Sequence, residues 1–177
     1  IGAAVTMAQI VNRRELAFLA PVATSIGGPA IRAMATVGGN LFARYPYGDF
    51  AVALLALGAE VTLDGSDGSQ TVDLATFLAN RNATPARIVT KITFAMPPKG
   101  AFRFSKAIRR KPHGASVLAI AAVLPVMKGK VTGARVAYGA MAPTAIRAHA
   151  VEAAIEGKAL DAATIEAAAK VANEGTA

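Results

Sequence analysis

The chain has 177 residues, with 19 Lys and Arg against 11 Asp and Glu, a net charge of +8, 54% hydrophobic residues and only 6% aromatic ones. A chain of this length buries a sizeable core in one or two small domains, and its Ala-rich composition reads as a soluble globular subunit, not a disordered chain. The absence of cysteine excludes disulfides, thiolate metal sites and iron–sulfur ligation by these residues.

In chain order, residues 14–25 are apolar on one face and predict a helix, stopped by Gly27-Gly28-Pro29. A loop at 36–40 follows, then an irregular, extended course through Tyr45-Pro46-Tyr47. Asp49 is placed to cap a helix over 50–57, with Gly58 as its terminator. Residues 60–63 predict a strand, 64–68 a hairpin turn and 70–72 the returning strand. Asp73 caps a short helix to Leu78. Residues 87–96 predict a strand with Ile88, Thr90, Ile92 and Phe94 on one face. Pro97-Pro98-Lys99-Gly100 punctuates the chain before another strand over 101–109.

Lys111-Pro112-His113-Gly114 marks the boundary between two regions, 1–111 and 112–177. Two strands, 117–126 and 130–139, form an antiparallel pair of which the first is fully buried. Two Ala-rich helices close the chain, 149–156 and 162–171, the second capped by Asp161. The fold class expected is α+β, with antiparallel sheets and helices packed on one side. The longest apolar run, 114–127, is broken by Pro125 and too short for a bilayer, and Arg13, Arg14 and Glu15 interrupt any leader-like stretch. No transmembrane segment and a cytoplasmic location are therefore expected. The two histidines are isolated, so no metal site is expected either.

The densest basic cluster is Lys99, Arg103, Lys106, Arg109, Arg110 and Lys111. Phe102 and Phe104 alternate with Arg103 and Ser105, the pattern of a half-buried strand with its charges outward. Such a face suits an acidic partner or cofactor; a single-stranded nucleic acid is the alternative ligand. Ala35-Thr36-Val37-Gly38-Gly39-Asn40 is the stretch richest in chemistry. Adjacent glycines let a ligand approach the backbone, and successive exposed N–H groups form an anion nest suited to a phosphate. The same residues also make a plain tight turn. Asp49, nine residues beyond Asn40, can accept from ligand hydroxyls.

Residues 31–40, then Tyr45-Pro46-Tyr47-Gly48-Asp49, then Ala53-Leu54-Leu55-Ala56-Leu57-Gly58-Ala59-Glu60-Val61 resemble the flavoprotein of the molybdenum hydroxylases. That family includes the medium subunits of carbon monoxide dehydrogenase and the flavin domain of xanthine dehydrogenase. Val5-Thr6-Met7-Ala8-Gln9-Ile10 is similar to its strand-then-helix opening. Phe104-Ser105-Lys106 with Arg109-Arg110 is similar to a basic strand, and Tyr138-Gly139-Ala140-Met141-Ala142-Pro143 to a turn of its C-terminal domain.

The resemblance implies the second FAD-binding subdomain of a PCMH-type flavin fold, followed by the flavoprotein C-terminal α+β domain. It places FAD on Thr36, Val37, Gly38, Gly39 and Asn40, with Asp49 on the flavin nucleotide's hydroxyls. Ile26 falls where a side chain packs near the isoalloxazine, or is ordinary helix packing. Ile88 and Val89 match positions near the adenine or ring, and Lys106 a basic residue near the flavin. Arg32 neutralises phosphate or is simply solvated.

The family's first glycine loop and its C-terminal Asp-x-Arg…Tyr-Arg segment have no counterpart in these residues, which implies a portion of a longer flavoprotein. The function expected is an electron-transfer subunit passing electrons from iron–sulfur clusters through FAD to NAD, a quinone or oxygen. Its partners would be a large molybdopterin-binding subunit and a small 2Fe–2S subunit, in a hetero-oligomer such as a dimer of heterotrimers. No side chain is expected to be a catalytic acid or base. A flavin-free scaffold and a basic nucleic-acid-binding domain are the other two classes.

Overall fold

The structure, a computed structural model, describes residues 1–82, 87–110 and 114–176. Lys111, Pro112 and His113 of the expected boundary lie outside the described residues.

Helix α1, Met7–Val11, opens on a capping box: Gln9 N–H donates to the Thr6 hydroxyl (3.2 Å) and Thr6 N–H to the Gln9 side chain (2.8 Å). The single helix expected over 14–25 is broken. A 3-10 stretch, Arg14–Leu19, which is itself interrupted by non-helical Leu16, precedes α2, Ala20–Thr24. Pro21 lacks the N–H that would continue the ladder, so the apolar face persists while the helix does not. Pro29 opens a helix, α3 (Pro29–Met34), because its fixed φ suits the first helical position.

The expected loop at 36–40 is mostly helical: α4 spans Val37–Leu41 with Thr36 as its cap. Helix α5, Asp49–Ala56, is buried along its whole length and forms the centre of the molecule. Gly48, at φ 108°, takes the cap position there, so Asp49 is the first helical residue and its side chain is released for other partners.

Strands β1 (Glu60–Gly65) and β2 (Gly68–Asp73) form the expected hairpin, and β3 (Ile88–Thr93) pairs on the other side of β1, all antiparallel. Asp73 caps α6, Leu74–Asn80, accepting from Thr76 N–H at 2.9 Å. The face expected for β3 is corrected. A bulge shifts its register against Thr62 and Leu63, so Val89 and Ile92 point inward while Ile88 stands out.

The second sheet has the order β4-β5-β8-β9, from Phe102–Ile108, Ser116–Val123, Arg135–Gly139 and Ile146–Arg147. β4 is therefore hydrogen-bonded to β5, across the expected boundary. Pro125 ends the strand expected over 117–126, leaving a separate two-residue ribbon of β6 (Val126–Met127) and β7 (Lys130–Val131). Nor is β5 fully buried. Ala119, Ala121 and Val123 enter the main core beside α5, whereas Ile120 and Ala122 are half-buried toward Val136 and Tyr138. Helices α7 (His149–Ile155) and α8 (Ala162–Lys170) cover that second face, and Asp161 caps α8 as expected. The fold is α+β with antiparallel sheets.

Candidate functional site

Residues 2–7 run beside residues 35–38, and this neighbour decides what the glycine segment can offer. Val37 N–H donates to Val5 O (2.9 Å), Gly38 N–H to Ala3 O (2.8 Å), Asn40 N–H to Thr36 O (3.0 Å), and Gly39 N–H to the Thr36 hydroxyl oxygen (3.0 Å). The open nest of N–H groups inferred from the glycines is therefore closed within the chain. The donors left are side-chain groups. Thr36 accepts through Oγ1 and keeps its O–H proton to give. Asn40 accepts from Ala51 N–H through Oδ1 (3.1 Å), which fixes its amide orientation and leaves Nδ2 without a partner among the described residues.

The glycines also have packing reasons to be glycine. A Cβ at Gly38 would meet the Ala3 Cβ at 2.8 Å, and one at Gly39 would meet Thr36 Oγ1 at 2.9 Å. Val37 is fully buried and anchors the turn in the core. Thr36, Gly38 and Gly39 share a hollow of about 460 Å³ with Arg87, Ile88 and Val89. Of the two strand residues, Val89 is buried and Ile88 is 72% exposed, so the apolar surface on offer there is Ile88, together with the 47% exposed Phe42. Asn40 and Asp49 line a separate, narrow crevice against Tyr45, Tyr47 and the turn after β8.

Asp49 does not stand free. Lys106 Nζ on β4 lies 2.6 Å from its Oδ2, and the Ser116 hydroxyl on β5 lies 2.6 Å from its Oδ1. Lys106 also donates to Ser25 O at 3.2 Å, the residue before Ile26. Both charged side chains are nearly buried, 11% exposed for Lys106 and 7% for Asp49. Lys106 thus leaves the outward basic cluster, because the alternation on β4 puts it on the same face as Phe102 and Phe104. Arg32 is half-buried, and its Nη1 donates to Thr24 O at 3.2 Å and to Gly27 O.

Sequence reasoning missed Ser116 and the backbone role of Arg32. Nothing local to Ser116 signals Asp49, which is 67 residues away. The Thr36 cap was findable, since a Thr three residues before an N–H is a helix-start pattern. Among the described residues, no group of three or more His, Cys, Asp and Glu could hold a metal ion, and no helix is long and apolar enough to cross a membrane.

The arrangement suits a flat, anionic ligand. The Thr36 hydroxyl offers a donor beside Cβ-free backbone, Ile88 and Phe42 offer an exposed apolar surface, and the Arg87 guanidinium at the same hollow is paired with Asp67. A hydroxyl donor beside Cβ-free backbone and an exposed apolar edge are features that a dinucleotide such as FAD could use.

Residues 1–97 match the family described as the FAD binding domain in molybdopterin dehydrogenase, and residues 103–177 match the CO dehydrogenase flavoprotein C-terminal domain. The chain is 29% identical to a xanthine dehydrogenase FAD-binding subunit of Escherichia coli O157:H7, over 94% of this chain and 60% of that protein. It is 26% identical to the carbon monoxide dehydrogenase medium chain of Hydrogenophaga pseudoflava, over 89% of this chain and 56% of that one. The fold superposes on a solved carbon monoxide dehydrogenase from the same organism with a TM-score of 0.90 and 27% identity, covering 100% of this chain and 64% of that chain. Quinoline 2-oxidoreductase from Pseudomonas putida 86 gives a TM-score of 0.85 at 25% identity, over 99% and 64%. The chain therefore spans 56–60% of the length of these curated relatives. Both matched segments are flavoprotein domains, in the order in which the two sheets follow each other, and the chain belongs to the FAD-binding flavoprotein family of the molybdopterin dehydrogenases.

Proposed function

We propose that this chain is the flavin-site portion of an FAD-binding medium subunit in a cytoplasmic molybdenum hydroxylase assembled from different subunits. The observation that carries the reading is the meeting of Thr36, Gly38, Gly39, Ile88 and Val89 at one hollow, within a fold matched along its whole length by a carbon monoxide dehydrogenase chain. The partners are a large molybdopterin-binding subunit and a small subunit carrying 2Fe–2S clusters. FAD would supply the redox chemistry, accepting electrons that originate at those centres and releasing them to NAD, a quinone or oxygen.

The chain's own residues bind and orient. Thr36 donates a hydrogen bond toward the diphosphate, Gly38 and Gly39 keep side chains out of its way, and Asn40 Nδ2 offers a further donor in the separate crevice. Val37 and Val89 are the buried anchors beneath that surface, and Ile88 is the apolar group standing above it. Asp49 and Lys106 form a charged wall next to the segment that carries Ile26. No side chain is a proton donor or acceptor in the chemical step.

The test is the absorption spectrum of the full subunit co-purified with its partners. Flavin bands in the wild type that vanish in Gly39→Val, with an unchanged far-ultraviolet spectrum, support the reading. A colourless wild type that takes up no added FAD overturns it, and steeply salt-dependent binding to DNA or RNA would then favour the nucleic-acid alternative.

A further inference from the structure

Three carbonyls of one short segment are each held by a cation. Arg32 Nη1 donates to Thr24 O (3.2 Å) and to Gly27 O, and Lys106 Nζ donates to Ser25 O (3.2 Å). The segment closes α2, and Ile26 is its one large apolar side chain, packed at the edge of the main core. Gly27 has φ +52°, and a Cβ there would lie 2.8 Å from Ile31. The backbone is therefore fixed from both ends in a shape that an L side chain at 27 rarely adopts.

Lys106 reaches Ser25 from β4, 81 residues away, along a nearly buried path. An unpaired ammonium there would be costly, and Asp49 Oδ2 balances it at 2.6 Å. Asp49 in turn has its other oxygen held by the Ser116 hydroxyl at 2.6 Å. The connection runs β5, α5, β4 and the end of α2, and each link is a charge-assisted hydrogen bond. A buried ion pair is a weak stabiliser compared with apolar residues of the same volume. What this one secures is geometry: a carboxylate gripped on both oxygens leaves Lys106 one direction in which to point.

We propose that Ser116 is a positioning residue of the flavin site, fixing Asp49, through it Lys106, and through Lys106 the 24–27 segment that presents Ile26. What Ile26 faces rests on the flavin reading above; the connection itself does not.

The test compares wild type, Ser116→Ala and Ser116→Thr in the intact assembly. Two quantities are read: amide hydrogen exchange over residues 24–28 in flavin-stripped protein, and the rate of FAD release from loaded protein. Ser116→Ala should speed both by about tenfold, the scale set by losing one charge-assisted hydrogen bond. Ser116→Thr, which keeps the hydroxyl, should restore both, and exchange in α7 should not change in either variant. Should Ser116→Ala fail to fold, the double variant Asp49→Asn/Lys106→Met removes both buried charges and must loosen the same amides. Unchanged exchange over 24–28, or no rescue by Thr, overturns the role of Ser116 while a flavin-bearing wild type keeps the flavin reading. A wild type that holds no flavin overturns the flavin reading, and the assignment of Ser116 to a flavin site with it.

Discussion

Gly139 on β8 faces Val52 on α5 so closely that a Cβ added to the glycine would sit 2.5 Å from Val52 Cγ2. This contact sets the distance between the central helix and the four-stranded sheet. It also seats Asp49, one turn earlier on the helix, within reach of Lys106 and Ser116. Gly139→Ala should therefore destabilise the protein by about 1–3 kcal/mol through overpacking. Denaturant unfolding reads this directly, and Val52→Ala in the same background should recover part of the loss by making room.

Thr36 holds the start of α4 through the 3.0 Å bond from Gly39 N–H. Thr36→Ala should lower stability by about 1 kcal/mol, the ordinary value of a helix cap, whereas Thr36→Ser should be near neutral. Affinity for FAD should fall in the alanine variant beyond what the stability change explains, because the hydroxyl proton is lost as well. Titration of the full-length subunit with FAD separates the two effects.

Asp49 and Lys106 are both nearly buried, so removing one charge strands the other. Asp49→Asn should cost about 3–5 kcal/mol. Adding Lys106→Met should return most of that, since the double variant leaves no uncompensated charge. A double-mutant cycle in urea measures the coupling, and additive effects of the two changes would show that the pair is not energetically linked.

How much of this was legible in the sequence depends on how local each determinant is. The β1–β2 hairpin and the Asp73 and Asp161 caps are decided within a few residues, and each is found where local chemistry puts it. The 14–25 segment keeps its apolar face but not its helix, because Pro21 interrupts the ladder without changing the pattern. The outward turn of Ile88 depends on a bulge opposite β1, which no periodicity within β3 can show. Within the candidate site, the inward face of Lys106 could be read from its spacing to Phe102 and Phe104. Its partner could not, since Asp49 is 57 residues away and joined to it only by the docking of α5 on the second sheet. The closed N–H groups of Val37 and Gly38 were hidden for the same reason, since their acceptors lie on Val5 and Ala3, whereas those of Gly39 and Asn40 are closed locally by Thr36.

Glu152 contributes to the acid stability of the C-terminal region. Its carboxylate accepts from Arg147 Nε (2.6 Å) and Val136 N–H (2.7 Å) and lies 3.0 Å from His149 Nδ1. It thereby ties α7 to β8 and β9. Burial opposes its ionisation, but the bonds from Arg147 and Val136, with the charges of Arg147 and His149, outweigh burial and hold the carboxyl below its ordinary value. A carboxyl depressed on folding stabilises the native state above the unfolded-state value, and that contribution is lost as pH falls through the folded-state value. The stability gap between wild type and Glu152→Gln should therefore be full at about pH 6 and close progressively below about pH 4.3. Urea unfolding at a series of pH values measures it. A gap that stayed constant to the acid limit would mean that Glu152 acts through its shape and hydrogen bonds alone, with its charge making no difference to how α7 is held on the sheet.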